Sequence, residues 1–286
     1  SFITKAILPD SIYAEAAIFG IGYAFATPSA TNLLLELKLD DIYKNATENE
    51  NGFMEFIVDK NTKFNLTDNG NVYSLDYDIS IQYKTIASST ITAPIPAWNI
   101  RYINTDEMNS VAINKNIYIP YRVTDQWLCL FVNVSEFTRQ TYTIPCNMAN
   151  GIANEDRIIT CRDHICGFDI KYIKSDGSYE YIPHDHILPM HATVNDLNPY
   201  VHYIMENQQS IRFMFQLQGN NYFKPELNSS YEITMYTCHG KAANFTKYDE
   251  TQQPRVITTG RRYSNNGNVL KAAFVIGASM GGTDIG

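Results

Sequence analysis

The chain has 286 residues, which is enough for two domains of ordinary size, and its formal net charge at pH 7 is -8. Charged residues make up only 18% of the chain, whereas 20 Tyr and 14 Phe supply side chains that suit the pleated, half-buried surfaces of β-sheets. The acidic residues are dispersed, no Lys/Arg run is present, and no stretch reaches the ~20 apolar residues of a membrane-spanning helix, so neither nucleic acid nor membrane is an expected partner.

The first 30 residues contain the pattern of a short helix. Pro9 marks its start, and Gly20 and Gly22 mark its end. Apolar residues between these limits recur every three to four positions, namely Ile12, Ala16 and Phe19. The sequence therefore predicts an N-terminal helical segment within residues 1–30.

After Pro28 the pattern changes to the alternation of a β-strand. In the run LLLELKLDDI, Leu35, Leu37 and Leu39 share one face and polar residues occupy the other. Further short runs follow, among them FMEFIVDK, NIRYI, NIYIPYRV, WLCLFVNVS, RIITC, GFDIKYI, YEYIP, SIRFMFQLQ, YEITMYTCHG and VLKAAFVIG. Short strands at this spacing predict a mainly β fold with two β-sandwich or barrel-like domains.

Two turn signals and two breaks organise these strands. Residues 68–71, DNGN, and residues 175–178, SDGS, each separate two alternating runs, and Asp-Gly is expected to supply the positive φ angles of a tight hairpin turn. Residues 143–155 and 249–254 lack any period and contain proline, so domain boundaries are expected there. The sequence thus predicts a first β domain at 31–145, a second at 146–250, and a return segment at 251–286 that can complete the first domain.

The ends of the chain and its cysteines predict its context. The chain begins with Ser1 instead of Met and ends in the Gly-rich run GGTDIG, which predicts an internal piece of a longer polypeptide. Five cysteines are an odd number in a sizeable chain, whereas disulfide scaffolds are short and evenly counted. We therefore expect that the protein is assembled in a cytoplasm and that its five cysteines are reduced thiols, namely Cys129, Cys146, Cys161, Cys166 and Cys238.

A polar cluster between residues 161 and 191 is the first candidate for chemistry. Its side chains are of the types that bind zinc, and His184 and His186 on a strand would lie on one face. Against a metal site, the apolar run around Cys161 and Cys166 favours small buried hydrophobes, and prolines bracket the loop that carries the histidines. We therefore assign no metal ligand among Cys161, Asp163, His164, Cys166, His184, Asp185, His186 and His191.

Two further patterns bear on catalysis. Residues 277–281 have the outline Gly-x-Ser-x-Gly around Ser279, but a nucleophile elbow belongs to an α/β sheet, and helical periodicity is almost absent after Gly22. The carboxylate pairs Asp40-Asp41 and Asp106-Glu107 have no fixed catalytic separation and are expected in solvated turns. No Gly-rich phosphate loop is present. We expect no catalytic or cofactor-binding residues and no enzymatic activity.

Aromatic residues offer a different kind of site. Side chains of this type could stack on sugars if they line one open face, although tyrosines on paired strands more often pack across the ladder. The residues in question are Trp98, Trp127, Tyr172, Tyr179 and Tyr181.

Three stretches carry motifs in a recognisable order. Residues 7–39 hold a short helix followed by a Pro-Ser-Ala-Thr lead into a strand. Residues 210–245 run from a strand through a Gly-centred turn and an aromatic-x-Pro-x-Leu segment to a Thr-x-x-Gly-x-x-x-Asn-Phe loop, and residues 277–286 hold a Gly-Gly-x-Asp element. In this order and spacing the chain resembles the baseplate J-like family, which includes the ring-forming wedge subunits of contractile-tailed bacteriophages.

This resemblance implies a scaffold without catalytic residues. Wedge subunits of this family join their neighbours into a ring around the tail tube and rearrange when the sheath contracts. The expected partners are other baseplate wedge subunits, copies of the same chain, and tail-tube or sheath components, within the baseplate of the virion. A tail-associated carbohydrate-binding adhesin and a zinc-dependent hydrolase stay open as alternatives, and contacts of the helical parts that this chain lacks are not assigned.

Overall fold

The computed structural model describes residues 25–60, 62–66, 71–75, 77–86, 95–103, 118–146, 156–183, 186–189, 201–215, 225–245, 255–258, 270–275, 279 and 281–284. The helix predicted within residues 1–30 lies outside these ranges. Inside them the architecture is mainly β, as predicted, with one short α-helix, α1 (Leu39–Asn45), and a 3-10 helix (Gly240–Ala243). Neither helix of the described chain has the length and apolar character that crossing a membrane requires.

The strands are short and follow one another closely along the chain. In chain order they are β1 (Ala30–Lys38), β2 (Thr47–Glu48), β3 (Met54–Val58), β4 (Lys63–Asn65), β5 (Val72–Leu75), β6 (Asp78–Ile86), β7 (Ile95–Ile103), β8 (Tyr121–Val123), β9 (Trp127–Glu136), β10 (Thr138–Pro145), β11 (Arg157–Thr160), β12 (His164–Ile173), β13 (Tyr179–Tyr181), β14 (Ile187–Pro189), β15 (Val201–Asn207), β16 (Ser210–Met214), β17 (Ser230–Cys238), β18 (Arg255–Thr258) and β19 (Leu270–Val275). They are arranged in four sheets.

The first sheet has the order β18-β4-β5-β9-β1-β19, with β8 also paired to β9. Its centre is the antiparallel pair β1–β9, which stays in register from Ala30 opposite Ser135 to Lys38 opposite Trp127. Alternate side chains of both strands are fully buried because each strand turns one apolar face to the core. Within the return segment, β18 pairs with β4 and β19 pairs with β1.

The second sheet, β2-β3-β6-β7, shares a core with the first. Leu35 and Leu130 from the first sheet and Ile81 and Ile100 from the second belong to one buried cluster. Residues 118–120 connect the two sheets, since the backbone there pairs with the edge of β7 and also with β9. This connection closes the two sheets on one side, in the manner of a partial barrel.

The third sheet, β10-β17-β12-β13, and the fourth, β11-β16-β15-β14, enclose a separate core. Ile170 and Ile233 of the third sheet and Ile211 and Phe213 of the fourth are fully buried in it. Every pairing in these two sheets is antiparallel except that of β14 with β15. The chain passes directly from the first sheet to the third, because β10 begins two residues after the end of β9.

The run LLLELKLDDI does not stay extended throughout. Leu35 and Leu37 alternate as predicted, but the backbone becomes helical at Leu39, so the prediction that Leu39 continues the strand was wrong. Leu39 and Ile42 lie one helical turn apart and are both buried against the same core as β1. Leu39 is therefore buried as predicted, but as part of a helix and not of a strand.

The hairpin predicted at residues 175–178 joins β12 to β13, which pair from Lys171 opposite Tyr181 to Ile173 opposite Tyr179. The amide of Gly177 donates to the Lys174 carbonyl at 3.0 Å, and the Lys174 amide donates to the Ser178 carbonyl at 2.8 Å. Only Gly177 has a positive φ, of +84°, so the expected positive φ at Asp176 was wrong. The loop is a three-residue turn with Gly177 in the left-handed position.

The second predicted hairpin, at residues 68–71, lies partly outside the described chain. Its flanking strands β4 and β5 are paired antiparallel, with Asn65 opposite Val72. Strands β2, β10, β14, β15 and β18 were not among the predicted strands. Residues 208 and 209, Gln-Gln, form the turn from β15 to β16 without the glycine or asparagine that identifies such a turn in a sequence.

Replacement of Gly177 tests the turn. Gly177→Ala should lower the free energy of unfolding by about 1 kcal/mol, because alanine resists the left-handed conformation. Gly177→Asn is the matched control and should lose less, since asparagine tolerates that conformation. Chemical denaturation of both variants measures the difference, and equal losses would contradict the turn described here.

Candidate functional site

Three segments that are far apart in sequence meet beside the passage from the first sheet to the third. They are residues 25–31, 237–245 and 279–284 without residue 280, and together they are called the junction below. Thr27 and Thr283 form an isolated antiparallel bridge, each amide donating to the other's carbonyl at 3.0 Å. The amide of Ala26 donates to the Ile165 carbonyl at 3.0 Å, which attaches the first segment to β12.

The second and third segments approach each other backbone to backbone. The Asn244 side chain donates to the Gly282 carbonyl at 2.9 Å and accepts from the Gly282 amide at 3.0 Å. The Asp284 carboxylate accepts from the Lys241 amide at 2.9 Å. A Cβ atom at Gly282 would lie 2.3 Å from the Gly240 carbonyl oxygen, and Gly240 itself has a φ of +54°. Both positions therefore require glycine, one for space and one for conformation.

An imidazole between two carboxylates links the two halves of the molecule at the junction. His239 follows β17 directly, and its Nδ1 lies 2.6 Å from Oε1 of Glu136 at the end of β9. The backbone amide of His239 donates to the other Glu136 oxygen at 2.9 Å. On the opposite side, Nε2 of His239 is 3.6 Å from the carboxylate of Asp163, which precedes β12.

Glu136 carries the largest electrostatic cost of this arrangement. Its side chain is 1% exposed, whereas that of His239 is 42% exposed. Burial raises the pKa of the Glu136 carboxyl above its ordinary value, against the lowering effect of its hydrogen bonds and charge interaction with His239, and the nearby Asp163 raises it further. Because Glu136 is buried, its ionised form depends on the hydrogen bonds and the charge interaction with His239.

A buried tyrosine holds the junction from the side of the first sheet. The Tyr73 hydroxyl donates to the Ala243 carbonyl at 2.8 Å and lies 3.2 Å from the Ser29 hydroxyl oxygen. Phe245 packs edge-on against the Tyr73 ring at 6.0 Å, and burial raises the pKa of Tyr73. Tyr73 therefore contacts the first two segments, and its hydroxyl also interacts with the Ser279 side chain of the third.

The residues of the predicted polar cluster are distributed over several places. Asp163 lies beside His239, Cys166 lies beside Cys238, and Cys161 is buried in the core of the third and fourth sheets. His186 lies just before β14, and His184, Asp185 and His191 lie outside the described residues. Within the described part of the chain, no three His, Cys, Asp or Glu residues are grouped in a way that could hold a metal ion.

The serine of the Gly-x-Ser-x-Gly outline is part of the junction. Ser279 is buried, its amide donates to the Phe245 carbonyl at 3.0 Å, and its hydroxyl oxygen accepts from the Phe245 amide at 2.6 Å. These bonds join two loops and occupy the hydroxyl oxygen. Of the carboxylate pairs, Asp40-Asp41 lies in the first turn of α1, and Asp106-Glu107 lies outside the described residues.

The candidate sugar-binding aromatics do not form one row. Trp98 is half-buried against the core of the first two sheets, stacked on Tyr43 at 6.2 Å and tilted against Tyr83 at 5.3 Å. Trp127 is half-buried at the start of β9. In the third sheet, Tyr172 is buried and faces away from Tyr179 and Tyr181 because it lies opposite Glu180.

No protein-family model matches the chain, and no curated protein matches it. The junction nevertheless has a relation to the sequence motifs, because its three segments fall within residues 7–39, 210–245 and 277–286. Glu136, His239 and Tyr73 were not among the candidate residues derived from the sequence. No local signal identifies them, since His239 and Glu136 are 103 positions apart.

The close backbone approach can be tested with two neighbouring glycines. Gly282→Ala should lower the free energy of unfolding by at least ~2 kcal/mol, because the added methyl group meets the Gly240 backbone. Gly281 has a φ of +89° with nothing near its missing Cβ, so Gly281→Asn should cost less. Thermal unfolding compares the variants, and an undisturbed Gly282→Ala protein would contradict the observed contact.

The buried carboxyl predicts a pH dependence. Because the folded state binds the Glu136 proton more tightly than the unfolded state does, ionisation destabilises the fold as the pH rises above the ordinary value of 4.5. The free energy of unfolding of the wild type, minus that of Glu136→Gln, should therefore fall between pH 4.5 and pH 7. Denaturant titrations measure this difference, with Glu180→Gln as the control, because the Glu180 side chain is 54% exposed. A difference that rises with pH would contradict the burial effect.

Proposed function

We propose that this chain is a structural subunit of a contractile phage tail baseplate wedge, which links neighbouring wedges into a ring around the tail tube. The observation that carries the proposal is that described parts of the three stretches resembling the baseplate J-like family meet in one junction. A chance likeness of three short motifs gives no reason for them to contact one another. The last segment instead forms hydrogen bonds with both of the others, from Thr283 to Thr27 and from Gly282 and Asp284 to residues 244 and 241.

The exposed edge of the first sheet supports an assembly role. All three residues of β8 are exposed, and β8 pairs with β9 alone among the described strands. Four large apolar side chains in and beside β8 are exposed. This set is called the β8 edge: Tyr118, Tyr121, Val123 and Phe131. An exposed strand edge that carries aromatic residues is suited to be covered by another subunit.

Assembly by such edges agrees with the composition of the chain. Few charges solvate its surface, and its buried residues form two sheet-pair cores that leave further apolar residues outside, such as Ile158 and Leu227. In the proposed ring, the partners are other wedge subunits, copies of this chain and tail-tube or sheath components. The site of action is the baseplate of the virion.

Immunoelectron microscopy tests the proposal. Antibodies raised against the recombinant chain should label contractile tail particles, purified from the biological source of the sequence, at the baseplate end. Mass spectrometry of the same particles should detect the chain in every intact tail preparation. Particles that lack the chain, while the soluble fraction of the same lysate contains it, would overturn the proposal.

Charges on the β8 edge should block assembly without unfolding the subunit. In a complementation assay, Tyr121→Glu combined with Val123→Lys should reduce incorporation of the chain into tails at least tenfold, because a charged edge resists pairing. The two side chains are 44% and 40% exposed, so the loss in the free energy of unfolding should stay at about 1 kcal/mol and is measured alongside. Tyr179→Glu, at the exposed hairpin of the third sheet, is the matched control.

Normal incorporation of the double variant would show that the β8 edge is not an assembly surface. Loss of incorporation in the Tyr179→Glu control alone would instead move the contact to the hairpin between β12 and β13. Cosedimentation of each tagged variant with tail particles provides the measurement.

A further inference from the structure

Two cysteines lie on one face of the third sheet, beside the junction. Strands β12 and β17 pair from His164 opposite Cys238, and the register shifts between Ile165 and Gly167. The shift is a β-bulge, and Cys166 is its extra residue. The bulge leaves Cys166 between the pairs that Ile165 and Gly167 make with Thr237 and Tyr236, next to Cys238 along β17.

The packing around the two sulfur atoms is consistent with this geometry. Cys238 is 1% exposed and belongs to a small cluster with Ala26 and Phe137, against which the half-buried Cys166 packs. The two thiols are hydrogen-bonding partners, and this bond lowers the pKa of Cys238 while it raises that of Cys166. Both thiols are free in this structure.

We infer that Cys166 and Cys238 are a reversible disulfide site, which a peroxide oxidises to a bond between β12 and β17. One thiol attacks a peroxide oxygen, the O–O bond breaks, and a sulfenic acid and one water form. The second thiol then attacks the sulfenic sulfur, so that the S–S bond forms and a second water leaves. Two thiols lose two electrons and two protons, and hydrogen peroxide is reduced to two waters.

The position of this pair gives the bond a structural consequence. Cys238 directly precedes His239, and Cys166 lies three positions after Asp163. A disulfide here would join the two strands of the third sheet that carry these partners. In the oxidised form, the disulfide would thus restrict the movement of His239 relative to Asp163.

Peptide mapping of the full chain tests the inference. The native protein is treated with hydrogen peroxide, alkylated after denaturation and digested without reductant. The peptides containing Cys166 and Cys238 should be found joined, at a mass about 2 Da below their sum, and dithiothreitol should separate them. Cys129, buried in the first sheet, should stay alkylated as a free thiol.

Variants make the assignment specific. Cys129→Ser should keep the cross-link, whereas Cys166→Ser should abolish it while far-ultraviolet circular dichroism shows an unchanged β spectrum. Because Cys166 is only half-buried, this variant is chosen over one at Cys238. A wild-type protein in which Cys166 proceeds to the sulfinic or sulfonic acid while Cys238 stays alkylated would overturn the inference. A cross-link from Cys238 to any other cysteine in Cys166→Ser would overturn it as well.

Discussion

The contact between His239 and the buried Glu136 carboxylate is the constraint around which the two halves of this molecule are organised. Burial of a carboxylate is costly unless hydrogen bonds and an opposite charge compensate it, and removal of one partner leaves that cost unbalanced. Glu136 ends β9 in the first sheet, and His239 follows β17 in the third. The end of each sheet is therefore held by a residue of the other sheet. Phe137 alone connects β9 to β10, so no long linker separates the two sheets.

Around this contact, the surrounding loops are determined by close backbone approach. Gly240 follows His239 and contacts Gly282. The position of the 3-10 helix therefore restricts the position of the last described segment, and the reverse also holds. The side chains of Tyr73 and Asn244 form their hydrogen bonds within the same region. The junction is thus held by polar bonds between chain segments, whereas the four sheets are held by two apolar cores.

The sequence predicted the features that local periodicity or turn chemistry determines. The alternating leucines of β1 and the hairpin around Gly177 are examples, because each depends on residues within a few positions. Helix α1 was missed since a buried Leu39 satisfies both a strand and a helical pattern. Ser279 in the junction and Asp163 and Cys166 beside it were candidates for chemistry, but their partners lie on distant segments of the chain. The contact between Glu136 and His239 spans 103 positions, and no periodicity in one sequence encodes such a distance.

The junction and the β8 edge differ in how tolerant they are of change, and this difference bears on how a ring subunit of the proposed kind would work. The β8 edge is exposed, so a partner can bind and leave it without disturbing either core. At the junction, any relative movement of the first and third sheets would separate His239 from Glu136 and leave a buried carboxyl without its donors. Protonation of Glu136 reduces that cost, because a neutral carboxyl is less expensive to bury. The junction therefore resists a relative movement of the two halves, and such a movement would require new partners for Glu136 or a change in its protonation.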